Sequence, residues 1–146
     1  MLLSLSEIVT KAVELPTKAE KIKWLQENKS VPLLTIINIM YNKDVKMLVP
    51  NTPPPWKKNS YVGTEGMLYK EARRLRIFHE GGGYDNLDTK KRERLFISLL
   101  EDINDDDAQL LCDMIAQKPL KGLTLKVVAE AFPELNLIAV TDKDVE

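Results

Sequence analysis

The sequence contains few of the residues from which catalytic and metal sites are usually built. It has one cysteine, Cys112, and one histidine, His79. A single cysteine excludes an internal disulfide, and one cysteine with one histidine is too few for a typical structural zinc site. We therefore expect a protein of a reducing compartment, the cytoplasm, that is not an enzyme and has no cofactor or metal.

Long apolar runs are also missing. The longest strongly apolar run, residues 31–40, is far too short to cross a bilayer. Residues 1–5 lack the basic start and the extended apolar core of a secretory signal. The sequence thus predicts no membrane association, and its 44% apolar and 29% charged residues are typical of an ordinary globular domain.

Charge of one sign does not dominate the whole chain, but it is unevenly spread. The formal net charge is −1, made up of +2 over residues 1–50, +4 over residues 51–94 and −7 over residues 95–146. Such asymmetry is compatible with a basic face for a polyanion, and equally with ordinary solvated helices. A sequence pI near 5.9 argues against strong, indiscriminate nucleic-acid binding.

Apolar spacing and capping residues predict an all-α, compact bundle of about seven helices over residues 1–135. Capping boxes at Ser4–Glu7 and Thr17–Glu20 open the first two helices. The third, residues 33–40, is apolar almost all round and is predicted to be the buried central helix. A Pro-rich connection, residues 50–66, follows. Residues 136–146 are predicted to be a partly mobile tail.

Four more helix starts follow the Pro-rich connection. They are assigned to Thr64, Asp88, Asn104 or Asp105, and Thr124. The fourth helix is predicted to end before residues 81–83. At 100° per residue, His79 then lies in line with the core-facing side chains Leu68, Ala72 and Leu75.

The remaining candidates for catalysis have structural explanations. His79 is predicted to be a packed or rim histidine, and Cys112 a small buried hydrophobe. The acidic residues of the sixth helix start lack the glycine and spaced glutamate of a calcium loop. They are Glu101, Asp102, Asp105, Asp106 and Asp107. A metal-dependent enzyme built on them is the third and weakest functional hypothesis.

Basic residues give a better case for binding. Lys70, Arg73 and Arg74 fall within about 100° of one another on an ideal fourth helix. Lys57 and Lys58, between Trp56 and Tyr61, form a basic, aromatic loop. Lysine and arginine are the side chains that phosphate contacts require, although each group by itself is typical of a solvated face.

The segment 118–126 is the most informative one. Gly122 permits a close approach of the backbone, and Thr124 begins a helix whose free N–H groups point outward. Lys121 and Lys126 flank this helix start. The pattern is that of an anion site, and also that of any capped helix.

Three parts of the sequence carry a family resemblance: residues 1–8, 17–21 and 25–29; residues 33–41 with Lys46; and residues 111–114, 121–124 and 127–135. They resemble, in this order, the opening helix pair, the third helix and the closing segment of the N-terminal DNA-binding domain of T-even-phage-type ATP-dependent DNA ligases. The resemblance implies a helical domain whose Gly-x-Ser/Thr helix start contacts the phosphate backbone across the minor groove. It also implies a bacteriophage protein, located in the host cytoplasm.

The resemblance has clear limits. A Lys-x-Asp-Gly nucleotide-accepting motif does not occur, so ligation is not implied. The last third is acidic, residues 118 and 119 alter the turn before Gly122, and Pro53 to Trp56 has no counterpart in the ligase domain.

Two hypotheses follow. The first is a non-enzymatic, sequence-independent duplex-DNA-binding accessory protein of phage DNA metabolism, with no cofactor. Its predicted contacts are Lys121, Gly122, Thr124, Lys126, Lys70, Arg73, Arg74, Lys57 and Lys58. The alternative is a protein-interaction adaptor that has lost DNA binding and docks through the Trp56 loop or the 136–146 tail.

Overall fold

The computed structural model describes residues 3–42, 44–50, 55–56, 67–117 and 119–135. The described part contains seven α-helices: α1 (Leu5–Glu14), α2 (Lys18–Glu27), α3 (Val31–Tyr41), α4 (Met67–Glu71), α5 (Thr89–Asp102), α6 (Asp105–Ala116) and α7 (Leu125–Ala131). A 3₁₀ segment, Ala72–Phe78, continues α4, and a 3₁₀ turn, Pro133–Leu135, follows α7. Within these ranges the extended pairing is limited to one isolated bridge, between Met47 and His79. The all-α prediction is confirmed.

Six of the described helices begin where their capping side chains predict, whereas the predicted start of the fourth helix, Thr64, lies outside the described residues. Ser4 and Glu7 form a complete capping box, in which each side chain bonds the backbone of the other residue. Ser30, Asn104 and Thr124 each accept the N–H three residues further on. These bonds satisfy N–H groups that have no partner inside the helix, so the sequence fixes the helix starts locally.

Helix α3 lies at the centre of the core. Its side chains Leu33, Ile36, Ile37, Ile39 and Met40 are at most 1% exposed. α3 packs against α6 and the 3₁₀ segment, while α2 packs against α1 and α7, and α5 against α6. The buried side chains of the described residues form one continuous hydrophobic cluster. The prediction of a buried central helix is confirmed.

The fourth helix differs from its prediction. The structure shows one short α-helix followed by seven residues of 3₁₀ helix, ending at Phe78. The buried residues Ala72, Leu75 and Phe78 recur every three residues, which is the period of a 3₁₀ helix. Phe78 therefore enters the core, where its ring packs edge-on against Phe96 with centroids 5.1 Å apart.

The alignment of His79 with the core stripe is wrong for the same reason. His79 follows the 3₁₀ segment in an extended conformation, with φ −131° and ψ 158°, and pairs with Met47. It is half-buried, and its Nδ1 lies 3.0 Å from the Glu80 carbonyl. Cys112 is buried as expected, and burial, with a smaller contribution from Asp113, raises the pKa of its thiol to about 11. The thiol is therefore protonated at neutral pH.

The C-terminal end of α3 is closed by a residue from outside the helix. Gln117 has a left-handed backbone with φ 52°, which is uncommon for a residue other than glycine. Its side-chain amide donates hydrogen bonds to the carbonyls of Ile39, at 3.0 Å, and Val45, at 2.9 Å. These bonds satisfy one carbonyl in the last turn of α3 and one in the segment that follows it, and they connect both to the end of α6.

Candidate functional site: a basic turn and an acidic groove

The turn before α7 is held by three other elements. The buried Tyr41 hydroxyl donates to the Leu123 carbonyl at 2.7 Å and accepts the Leu120 N–H at 2.9 Å. The Lys21 ammonium donates to the carbonyls of Gly122 and Val13. Tyr41 ends α3, Lys21 belongs to α2 and Val13 to α1, so the turn has a fixed position relative to all three helices.

Gly122 is required in this turn. Its φ of +94° is a conformation that side-chain-bearing residues rarely adopt. A Cβ at this position would also lie 2.9 Å from a methyl carbon of Val13. The glycine is therefore explained by the close packing of the turn against the end of α1.

The predicted contact residues of this turn are all at the surface. Lys121, Gly122, Thr124 and Lys126 are exposed. The Thr124 hydroxyl oxygen accepts the Val127 N–H at 3.3 Å, which is the N-cap bond of α7. The structure thus presents two lysines on a rigid turn, which for the rest of this article is called the basic turn (Lys121–Lys126).

The second predicted group of cations lies elsewhere. Lys70 and Arg73 are exposed, but the Arg74 guanidinium is half-buried and pairs with Glu71 at 3.0 Å and Asp102 at 3.3 Å. Arg74 is therefore largely neutralised by two carboxylates. Its role in the fold is to connect the start of the 3₁₀ segment to the end of α5.

The two groups flank opposite ends of α1. The Tyr69 hydroxyl, next to Lys70, donates to the Leu3 carbonyl just before α1, whereas Gly122 contacts Val13 near its end. α1 itself, ten residues at 1.5 Å each, is about 15 Å long. The structure does not bring the two predicted groups together.

Two further predicted elements are outside what the structure describes. Lys57 and Lys58 fall in residues 57–66, and the proposed docking tail is residues 136–146. Trp56 is described: it is half-buried and packs against the hydrophobic core.

Sequence reasoning missed the joint between α1 and α6. Asp107 has a fully buried side chain, and its carboxylate accepts the Ser6 N–H at 2.9 Å and an Asn104 amide N–H at 3.2 Å. The Asp107 N–H in turn donates to the Asn104 side chain at 2.8 Å. One carboxylate thus ties the first turn of α1 to the first turn of α6. The Asn104-x-x-Asp107 cap was visible in the sequence, but the partner 101 residues away was not.

From this joint the two helices enclose an open groove. α1 ends at the basic turn through the Val13–Gly122 contact, and α6 leads into the same turn through Gln117. The space between them is about 650 Å³ and is called the α1–α6 groove. Its floor is apolar, formed by Val9, Val13, Leu110 and Leu120.

The rim of the α1–α6 groove is acidic. Its carboxylates are Glu7, Glu14, Asp106 and Asp113. Hydrogen bonds with the Ser4 backbone and hydroxyl lower the pKa of Glu7, so this carboxylate is ionised at neutral pH. The α6 sequence contains no lysine or arginine. Among the described residues of the lining, Lys11 is the one lysine, and its ammonium lies 5.6 Å from the centre of the Trp24 ring.

A protein-family model matches a range of the chain that contains most of the groove lining. Residues 8–121 match a family of unknown function (DUF6433). The chain belongs to this family. The matched range includes the groove floor and three of its four rim carboxylates, and it ends at Lys121, before Thr124 and Lys126.

The other comparisons found no relatives. Neither a curated protein nor a solved structure matches the chain. The resemblance to the ligase domain therefore stays a prediction.

The described residues contain neither a membrane-spanning helix nor a metal cluster. None of the described helices is long and apolar enough to cross a membrane. Among residues 3–42, 44–50, 55–56, 67–117 and 119–135, no group of three or more His, Cys, Asp or Glu is placed to hold a metal ion. Two of the acidic residues considered for a metal cluster have other surroundings. Asp107 accepts a hydrogen bond from the Ser6 N–H, and Asp106 is exposed.

Proposed function

We propose that this protein is a non-enzymatic interaction adaptor that docks a partner protein in the α1–α6 groove. The observation that supports the proposal is a groove between two helices whose apolar floor is partly exposed at Val13 and Leu120 and nearly buried at Val9 and Leu110. Concave, preformed, mostly apolar surfaces with a few polar groups are typical binding sites. The joint at Asp107 and the basic turn hold the groove walls in place, so binding would require little reorganisation.

The surroundings of the basic turn favour docking in the groove over phosphate binding at the turn. Leu120, which lines the groove, immediately precedes Lys121, and the rim carboxylates Glu14 and Asp113 belong to the same groove. Like charge repels a phosphate chain at short range. The acidity of this region therefore lowers the affinity of Lys121 for nucleic acid.

The adaptor proposal is tested by filling the groove. Gln109 is exposed on α6 and lines the groove, so Gln109→Trp obstructs it without replacing a core side chain. Ser98→Trp, at an exposed position of α5, is the matched control. In cell lysate, we expect the wild type and Ser98→Trp to be cross-linked to the same partner protein. Gln109→Trp should not be cross-linked to it. Identical recovery with both variants, or no recovery with the wild type, contradicts the proposal.

Duplex-DNA binding is the second candidate, and the exposed Lys121 and Lys126 on a rigid turn support it. Lys70 and Arg73 would extend the contact. The candidate requires that a single duplex contact both groups, which are anchored near opposite ends of α1. This candidate would make the protein an accessory factor that recognises phosphates without reading sequence.

The DNA candidate is tested by titrating a labelled duplex with protein at about 50 and 200 mM salt. If it is correct, affinity falls steeply with salt, and Lys121→Gln/Lys126→Gln lowers the slope of log K against log salt by roughly two. Lys90→Gln/Lys91→Gln removes the same charge from the exposed start of α5 and serves as the control. No binding at low salt, or equal slopes for both double variants, rejects this candidate.

A further inference from the structure

We infer that the segment docked in the α1–α6 groove is a cationic amphipathic helix of about two turns. This inference rests on the proposed function, because it identifies the class of partner for the same groove. Three properties of the groove support it: its charge, its length and the kind of elements that form its walls.

The charge of the rim selects a basic partner. In the part of the lining that the structure describes there are four carboxylates and one ammonium group, and that ammonium group faces the Trp24 ring on the neighbouring helix. A docked segment with acidic side chains would meet like charge along both walls. Lysine or arginine at the edges of the segment would complement Glu14 on one wall and Asp106 or Asp113 on the other.

The length of the groove matches a short helix. Its lining runs from Ser6 to Glu14 on α1 and from Asp106 to Asp113 on α6. At 1.5 Å per residue these walls are about 11 to 12 Å long, or two helical turns. Apolar side chains at positions i, i+3 or i+4, and i+7 of a docked helix would then lie over the floor, where Val13 and Leu120 are partly exposed.

The walls themselves favour a helix over a strand. Both are α-helices, whose surface grooves accept the side-chain ridges of another helix. Addition of a strand requires an exposed sheet edge, and extended pairing in the described residues is confined to the Met47–His79 bridge. That bridge does not border the groove.

The experiment is a selection from a displayed library of random peptides of roughly 16 residues, long enough for four helical turns. Selection uses the full-length wild type, with Gln109→Trp as the counter-selection and Ser98→Trp as the positive control. We expect enriched peptides to carry net positive charge with apolar residues at helical spacing. The binding of one such peptide should increase its helicity by circular dichroism.

A charge variant then tests the rim directly. Glu14→Gln/Asp106→Asn/Asp113→Asn should weaken the selected peptide about tenfold, since each exposed pair contributes roughly 0.5 kcal/mol and tenfold is 1.4 kcal/mol. Glu27→Gln/Glu80→Gln/Glu93→Gln removes three exposed carboxylates that do not line the groove and should leave affinity unchanged. Added salt should weaken wild-type binding through screening.

The outcomes separate the two levels of the argument. Groove-dependent peptides that are neutral or acidic overturn the cationic helix while the groove remains a docking site. Self-association by analytical ultracentrifugation that Gln109→Trp abolishes identifies a second copy as the occupant, and also overturns the inference. Enrichment that Gln109→Trp leaves unchanged, or no enrichment, overturns the inference and the proposed function together.

Discussion

Asp107 shows how one side chain fixes the relative position of two helices. Burial raises its pKa, and hydrogen bonds from the Ser6 backbone and the side chains of Ser6 and Asn104 partly offset that effect. The native state therefore binds the carboxyl proton of Asp107 more tightly than the unfolded chain does. Ionisation of Asp107 thus lowers the free energy of unfolding. The contribution is most favourable below 3.8, the pKa of an aspartate in an unfolded chain, and is lost as pH rises through the native pKa.

Replacement of Asp107 tests this joint. Asp107→Ala leaves the buried Ser6 N–H and Asn104 amide without their acceptor, so we expect a loss of about 1–3 kcal/mol in the free energy of unfolding. Asp107→Asn keeps an acceptor for Ser6 and should lose less. Urea denaturation at neutral pH measures both.

The pH dependence provides the control for the Asp107 variants. Relative to Asp107→Asn, the wild type should become less stable as pH rises from about 3.8 through the native pKa, because only the wild type ionises there. A pH-independent difference between the two proteins would contradict this assignment.

Arg92 is a second residue whose role is invisible in the sequence. It is 4% exposed and donates to the carbonyls of Ile77 at 3.1 Å, Tyr84 at 2.8 Å and Asp85 at 3.4 Å. A buried guanidinium is tolerated because carbonyl oxygens accept its N–H groups. Arg92 thereby holds the loop after the 3₁₀ segment against α5, and it is unavailable for contacts with nucleic acid.

At the scale of elements, the basic turn depends on α3 through Tyr41. Tyr41→Phe removes the hydroxyl that joins Leu120 to Leu123, so we expect a loss of about 1–3 kcal/mol in the free energy of unfolding and faster hydrogen exchange at the Leu120 amide. The Leu123–Leu120 backbone bond remains in the variant. Unchanged exchange at Leu120 would show that Tyr41 does not hold the turn.

The Tyr41 hydroxyl should stabilise the fold only up to an upper pH. Burial raises the pKa of Tyr41 to about 12, only partly opposed by the Leu120 hydrogen bond. Its contribution to stability is therefore complete below pH 10 and is lost as pH rises towards 12. The stability difference between the wild type and Tyr41→Phe should narrow over this interval in denaturant titrations.

The 3₁₀ segment shows where periodicity alone is insufficient. Leu68, Ala72 and Leu75 fit an α-helix and also the observed α-to-3₁₀ transition, because the two periods diverge only over several turns. The next buried position decides between them, and the packing of Phe78 on Phe96 places Phe78 inside and His79 outside. The exposed residues of this segment, Arg73 and Arg76, are likewise three positions apart.

For the whole molecule, the distribution of charge separates two surfaces. The acidic last third predicted from the sequence contributes Asp106 and Asp113 to the groove rim, and α1 contributes Glu7 and Glu14. The cations of the basic turn lie at one end of this groove. The charge asymmetry of the sequence thus appears in the fold as an acidic groove beside exposed lysines.

Capping bonds and apolar periodicity act within a few residues, so the amino-acid pattern was sufficient to predict six of the described helix starts, the buried central helix and the all-α class. Which charges share a surface depends on how distant segments pack. The Asp107–Ser6 bond spans 101 residues, and the walls of the α1–α6 groove come from helices equally far apart in the chain. Packing also placed Asp102 of α5 against Arg74 and buried Arg92 against the Ile77 carbonyl, and no local pattern specifies these partners on other segments.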